Sequence, residues 1–167
     1  MILGLDVSTS KIGYCVVDEK QELLLYGFVK FKKEPLEERA FTFFRETLVD
    51  IDRKYKITEV RIEEPFSMFS GGRTTAGTMS KLQRFNGMIS YSAYRCFHML
   101  PPLVSSRSAR SKCGIKIKRG EDTKKKIIAW VEQKYPKQFI VEYTRHGNPK
   151  PGTDDMADSI VVALSHF

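Results

Sequence analysis

Residues 2–18 read ILGLDVSTSKIGYCVVD, and the placement of one acid in that stretch decides how the rest is read. Two apolar runs, 2–7 and 13–17, flank the turn Ser8-Thr9-Ser10-Lys11, and a third run, 23–31, carries a single interrupting Gly27. Short apolar runs bounded by turn formers read as strands, and connections this tight suit an antiparallel meander. Asp6 breaks the first run. A carboxylate in a central strand is expensive to desolvate unless it is paired or holds a cation, so this acid is a candidate functional group.

Outward from that hairpin the chain alternates between elements. Pro35 opens a helix in which Leu36, Ala40, Phe43, Phe44, Leu48, Ile51 and Tyr55 recur three or four residues apart, the period of one apolar helical face. Residues 58–62 alternate Val60 and Ile62 with Glu59 and Arg61, which predicts a half-buried strand. It ends in Glu63-Glu64-Pro65, because proline cannot continue a central strand. Glu63 thus sits at the strand end, and Glu64, alternating to the other side, reads as solvated. After a Gly/Ser/Thr-rich loop over 67–78, Leu82, Phe85, Ile89, Ala93 and Cys96 mark a helix. A short strand at 103–105, a basic loop over 107–120, a helix from near Glu121 and a last helix from about Asp154 complete the pattern. The order β-β-β-α-β-α-β-α-α predicts a mixed sheet with helices packed on it, an α/β domain.

Length and charge bound the function. The 167 residues, 41% hydrophobic and 29% charged, suit one domain over 1–167 with its own core. No apolar run approaches the ~20 residues of a bilayer span, and the first residues have neither the charge nor the apolar length of a leader. Three cysteines without a CxxC pair and three scattered histidines argue against a thiolate or imidazole metal site and for a reducing compartment. The expected location is therefore cytoplasmic, in a bacterial or phage-infected cell, with no membrane partner. Net charge is +8, and residues 103–150 hold thirteen Lys/Arg against four acids. A basic segment beside a near-neutral remainder is the footprint of a polyanion binder.

Into this basic protein the chain builds a set of acids. Asp6 and Glu63 end strands, and Asp155 and Asp158, three apart on the last helix, share one face. Clustered carboxylates repel, and a cation or a bound proton relieves them. Oxygen donors of this kind suit Mg²⁺ or Mn²⁺, and two such ions can clamp a phosphodiester between attacking water and leaving oxygen. Asp154 reads as a helix N-terminal acid with Thr153 as cap.

Three blocks, ILGLDVSTSKIGYCVVD, VRIEEPF and DDMADSIVVALSHF, resemble the catalytic blocks of RuvC-type Holliday-junction resolvases, members of the ribonuclease H-like superfamily. The resemblance implies a five-stranded mixed sheet flanked by helices. It also implies a Mg²⁺-dependent endodeoxyribonuclease, with Mn²⁺ able to substitute and two ions per site, and a homodimer that nicks four-way junctions symmetrically. By motif, Asp6, Glu63, Asp155 and Asp158 take the places of the catalytic, metal-binding acids. Phe66 falls where the family carries a junction-contacting Phe, and Arg107 and Lys124 stand nearest to two functional lysines, one of them present here as Arg.

The basic segment adds Arg110, Lys112, Lys116 and Lys118 to the expected DNA contacts, and the loop after Glu63 adds Phe69 and Arg73. The rings of Phe66 and Phe69 are either wedges against unstacked bases or part of the core. The helix from Leu82 to Cys96 is the expected dimer interface, though its apolar face also suits the core. The loop with Gly71-Gly72-Arg73 and the basic stretch 134–152 depart from the family. A small phage or bacterial origin fits the chain. The rival readings are another ribonuclease H-like nuclease acting on branched DNA or an RNA–DNA hybrid, and a non-catalytic DNA-binding relative. The phosphate loop of actin-like kinases resembles the first block too, but that fold needs two such domains.

Overall fold

Alternation along the first strand sorts the core into two halves. In β1 (Ile2–Val7) the side chains of Leu3, Leu5 and Val7 pack to one side of the sheet, while Ile2, Gly4 and Asp6 face the other. The same division holds in β2 (Lys11–Val17), where Ile12 and Val16 join the first side and Cys15 and Val17 the second. The computed structural model describes residues 1–65 and 75–167; the expected contacts Phe66, Phe69 and Arg73 lie outside the described residues. With β3 (Leu23–Lys30), β4 (Glu59–Glu63) and β5 (Leu103–Val104), the strands form one five-stranded mixed sheet of order β3-β2-β1-β4-β5. β1, β2 and β3 pair antiparallel, and β4 pairs parallel with both β1 and β5.

The Leu3 side is covered by α1 (Leu36–Phe43), a π-helical turn (Phe44–Leu48), α2 (Val49–Lys54) and α3 (Ala76–Phe97). The π turn has a packing reason. Phe43 and Leu48 are both fully buried yet five residues apart, which in an unbroken α-helix points them about 140° from each other. One widened turn brings both inward.

On α3, Phe85, Ile89 and Ala93 are buried in this core, so that line of the expected interface helix is interior. Its outward side carries Tyr91 and Tyr94, both exposed. The other side of the sheet is covered by α4 (Ser106–Lys112), α5 (Thr123–Lys134) and α6 (Thr153–Leu164).

Two sequence expectations need correction here. The stretch 107–120 is not all loop: α4 occupies its first part, capped by the Ser105 hydroxyl, which accepts from Ser108 N at 3.2 Å. Ala109 is its only buried residue, so no apolar period announced the helix. The cap of α6 is Gly152, not Thr153. Gly152 has φ 97° and a Cβ there would fall 2.5 Å from the Phe28 ring, whereas the Thr153 hydroxyl donates back to Lys150 O at 2.8 Å.

All three cysteines are free thiols, and among the described residues no helix is long and apolar enough to cross a membrane.

Candidate active site

The site forms because α6 lies almost on the sheet. Asp6 on β1 is paired with Gly13 on β2, and a Cβ on Gly13 would stand 2.0 Å from the Asp155 carbonyl oxygen. A Cβ on Gly4 would meet Ser159 O at 2.3 Å. Two hydrogen atoms in place of side chains therefore let the first turn of α6 settle beside Asp6. Parallel pairing of β4 with β1 brings Glu63, at the carboxyl end of β4, to the same end and face. Asp155 and Asp158 project from the first turns of α6. The four acids singled out from the sequence are thereby gathered at one end of the sheet, on the α6 side, while Glu64 is exposed.

Their electrostatics follow from that gathering. Burial, and then the carboxylates of Glu63, Asp158, Asp155 and Asp154, push the Asp6 carboxyl well above the usual range. Asp158 is raised to about 7, by burial first and then by Glu63 and Asp154, against the opposing pull of Arg110 and Lys124. Glu63 is raised by burial, with the Ser106 hydroxyl and Arg110 acting the other way. Ser106, the first residue of α4, donates its hydroxyl to Glu63 Oε1, and Asn86, buried on α3, donates to the Glu63 carbonyl at 3.1 Å. Asp155 is raised by burial and held down by Lys11, whose ammonium pairs with Asp155 Oδ2. Asp154 differs from the rest. It lies between Lys124, which donates to its Oδ2, and Lys11, 3.9 Å from its Oδ1, and its carboxyl is lowered.

The donor set is all oxygen and mutually repelling, which is the chemistry a hard divalent cation satisfies. Among the described residues no three acidic, histidine or cysteine side chains stand close enough to share one ion. The fit therefore rests on donor type and on the repulsion a cation relieves.

The basic residues divide in space. Arg110 is near enough to act on both Glu63 and Asp158, Arg107 is exposed on the same helix, and Lys124 opens α5 beside Asp154. Lys116 and Lys118 lie on the connection to α5, both exposed. Lys112 is directed elsewhere: its ammonium donates to Ser165 O at 3.0 Å, at the far end of α6 and about 15 Å along the helix from Asp155 at 1.5 Å per residue.

Sequence reasoning missed Lys11, Ser106 and Asn86. Asn86 alone had a legible signal, a polar residue beside Phe85 on an apolar helix face. Lys11 and Ser106 act through contacts that only the tertiary structure creates.

A five-stranded mixed sheet of this order, flanked by helices, with acids at the carboxyl ends of β1 and β4, has the ribonuclease H-like fold. Within that class the fold is of the RuvC type. A structure of Thermus thermophilus RuvC in complex with a Holliday junction substrate matches with a TM-score of 0.69 and 16% identity, covering 99% of this chain and 90% of that one. A further Thermus thermophilus RuvC structure matches with a TM-score of 0.63 and 20% identity over 99% and 92%. No protein-family model matches the chain, and no curated protein matches it by sequence. The likeness is one of fold.

Proposed function

We propose that the chain is a single-domain, metal-dependent endodeoxyribonuclease that resolves four-way DNA junctions by paired nicks. The observation that carries this reading is the gathering of Asp6, Glu63, Asp155 and Asp158 at one end of a RuvC-type sheet, with Arg110 and Lys124 beside them. An acidic cluster that burial and repulsion make costly calls for a function, and a polyanion cut by bound cations supplies one. The junction-bound Thermus thermophilus neighbour supports branched DNA as the substrate class.

The four acids would hold Mg²⁺ or Mn²⁺, two ions per site. When bound, those ions activate the attacking water and neutralise charge on the phosphodiester. The chain's own groups do the rest. Ser106 fixes the Glu63 carboxylate through its hydroxyl, and Asn86 fixes the backbone beneath it. Arg110, on the next turn of α4, offsets carboxylate charge and offers its guanidinium to a phosphate. Arg107, Lys116, Lys118 and Lys124 extend that positive surface along the DNA arms. Phe66, Phe69 and Arg73, in the segment of sequence that follows Glu63, are proposed to meet the crossover.

A junction has two-fold symmetry, and two matched nicks call for two sites related by that axis. We assign the homodimer to an apolar groove of about 350 Å³ between α1, the π turn and α3, lined by Ala40, Phe41, Phe44, Met88 and Tyr91. Phe41 and Tyr91 are each 60% exposed there, an uneconomical arrangement for a lone subunit. The same reading places the protein in the cytoplasm of a bacterial or phage-infected cell.

The test is cleavage of a labelled four-way junction beside duplex, Y-fork and RNA–DNA hybrid, with Mg²⁺ and with chelator. Paired, symmetric, Mg²⁺-dependent nicks in the junction are expected. Preferred cutting of the hybrid would move the assignment to another nuclease of the same fold. Tight junction binding without cleavage in either Mg²⁺ or Mn²⁺ would make it a binding protein.

A further inference from the structure

One cation at the site belongs to the chain itself. Lys11 opens β2 on the α6 side of the sheet, and its backbone is clamped by Ser8: Ser8 N and Ser8 Oγ each donate to Lys11 O at 2.9 Å, and Lys11 N donates to Ser8 Oγ at 3.1 Å. From that fixed base the side chain reaches across to α6. Its ammonium pairs with Asp155 Oδ2 and stands 3.9 Å from Asp154 Oδ1, while the other oxygen of Asp154 takes Lys124. The result is a ladder of alternating charge, Lys124–Asp154–Lys11–Asp155. Only about a quarter of the Lys11 side chain and a tenth of the Asp155 side chain are exposed, so the pair is poorly screened by water.

We propose that Lys11 is a positioning residue that acts as an exchangeable counter-ion: its ammonium occupies Asp155 until a DNA phosphate draws it away and frees that carboxylate for a divalent ion. The inference rests on the metal-dependent reading above. A carboxylate oxygen already bound to an ammonium cannot accept a divalent cation without placing two positive charges side by side. A backbone phosphate arriving at the acids is the competing anion that an ammonium meets there, and it offers a charge-assisted hydrogen bond of the same kind. Ion uptake at Asp155 and DNA binding are therefore coupled, and the coupling is reciprocal: each ligand strengthens the other. Asp6, Glu63 and Asp158 make no contact with Lys11, so an ion held from their side of the site would not depend on it. The site is thereby divided into a position that is always receptive and one that opens with substrate.

The experiment is a Mn²⁺ titration of the full-length protein, followed by calorimetry and by the electron paramagnetic signal of the free ion. It compares wild type, Lys11→Gln, Lys11→Met and Lys11→Arg, with melting temperatures to establish that each variant is folded. Lys11→Gln and Lys11→Met are expected to bind the weaker ion about tenfold more tightly than wild type, a gain of about 1.4 kcal/mol, with the tighter ion unchanged. Lys11→Arg keeps the cation and is expected to behave as wild type, and adding Asp155→Asn to Lys11→Gln is expected to cancel the gain.

A second arm measures affinity for a four-way junction with and without Ca²⁺. Ca²⁺ is expected to strengthen binding by wild type, and by Lys11→Gln several-fold less. Weaker-ion affinity identical in wild type, Lys11→Gln and Lys11→Met overturns the counter-ion role while leaving the metal site standing. Absence of Mn²⁺ binding in every variant overturns the metal-dependent reading itself, and the counter-ion role with it.

Discussion

Glu59 and Glu63 stand at the two ends of β4 on one face of the same sheet, about 13 Å apart at about 3.3 Å per residue, and the chain treats them in opposite ways. Glu59 is partnered on both oxygens: Arg61 Nη1 donates to its Oε1 at 2.8 Å, and His166 Nδ1 lies 2.7 Å from its Oε2. Arg61, halfway between the two acids and facing the same side, turns to Glu59. Glu63 has a neutral hydroxyl from Ser106 as its hydrogen-bond donor, the charge of Arg110 nearby but in no ion pair with it, and two acids for company, Asp6 and Asp158. A carboxylate that ties the carboxyl-terminal tail to the sheet is neutralised at once. A carboxylate kept for a ligand is desolvated and left short of positive charge, a state that lowers stability and is retained at functional sites.

The sharpest way to break this contrast is to neutralise each end in turn. Asp6→Asn, Glu63→Gln and Asp158→Asn are each expected to reduce junction cleavage in Mg²⁺ by about a hundredfold or more. Binding should persist or tighten, since negative charge facing phosphate is removed. Substantial cleavage by Asp6→Asn would remove Asp6 from the site. Asp154→Asn is expected to be mild, because that acid is already paired with Lys11 and Lys124.

Next in size is DNA affinity. Replacing Arg107 and Lys124 together by alanine should flatten the log–log salt dependence by about 0.9 for each phosphate that is no longer neutralised. Lys112→Ala should leave the slope unchanged, because its ammonium is held at the far end of α6. Filter binding across a salt series reads both.

A third effect is on stability, and its sign is fixed by the direction of the shift. Asp158 sits at about 7 in the folded chain and near 4 when unfolded, so folding favours its protonated form. Its contribution to stability is complete below about pH 4 and is lost as pH rises through about 7. In EDTA at pH 8, Asp158→Asn should therefore raise the melting temperature, by about 5 °C for a chain of this size, and change little at pH 4. Equal melting temperatures at pH 8 would mean that Asp158 is compensated as Glu59 is. The smallest effect belongs to the paired end: His166→Ala, which removes an exposed partner of Glu59, should cost under about 1 kcal/mol, with cleavage rates unchanged.

How much of this was legible beforehand depended on whether the information was periodic or tertiary. The element order β-β-β-α-β-α-β and the apolar faces of α1, α3 and α6 follow from alternation and helical spacing, which each residue reports locally. Asp6 was readable because it interrupts such a pattern. The short helix α4 has one buried residue, Ala109, and so carried no period to read. Its signal was the Ser105 cap. Lys11 looked like an ordinary turn residue, because nothing local distinguishes a lysine that reaches solvent from one that reaches α6. The five-residue step from Phe43 to Leu48 could likewise be read only as a blurred helical period until the π turn accounted for it.

The close seating of α6 on the sheet has a practical corollary. Cys15, on β2 two residues beyond Gly13, is fully buried beneath α6, its thiol donating to Ser159 O at 3.3 Å. Burial pushes that thiol up to about 12, so it is inert while the helix is seated. A thiol reagent reaches Cys15 only when α6 lifts away from the strands, and lifting α6 carries Asp155 and Asp158 with it. The rate at which Cys15 is labelled therefore times the opening of the catalytic end from the inside. Slower labelling on adding Mn²⁺ or a junction would measure, in a chain with no added probe, how firmly each ligand closes the site.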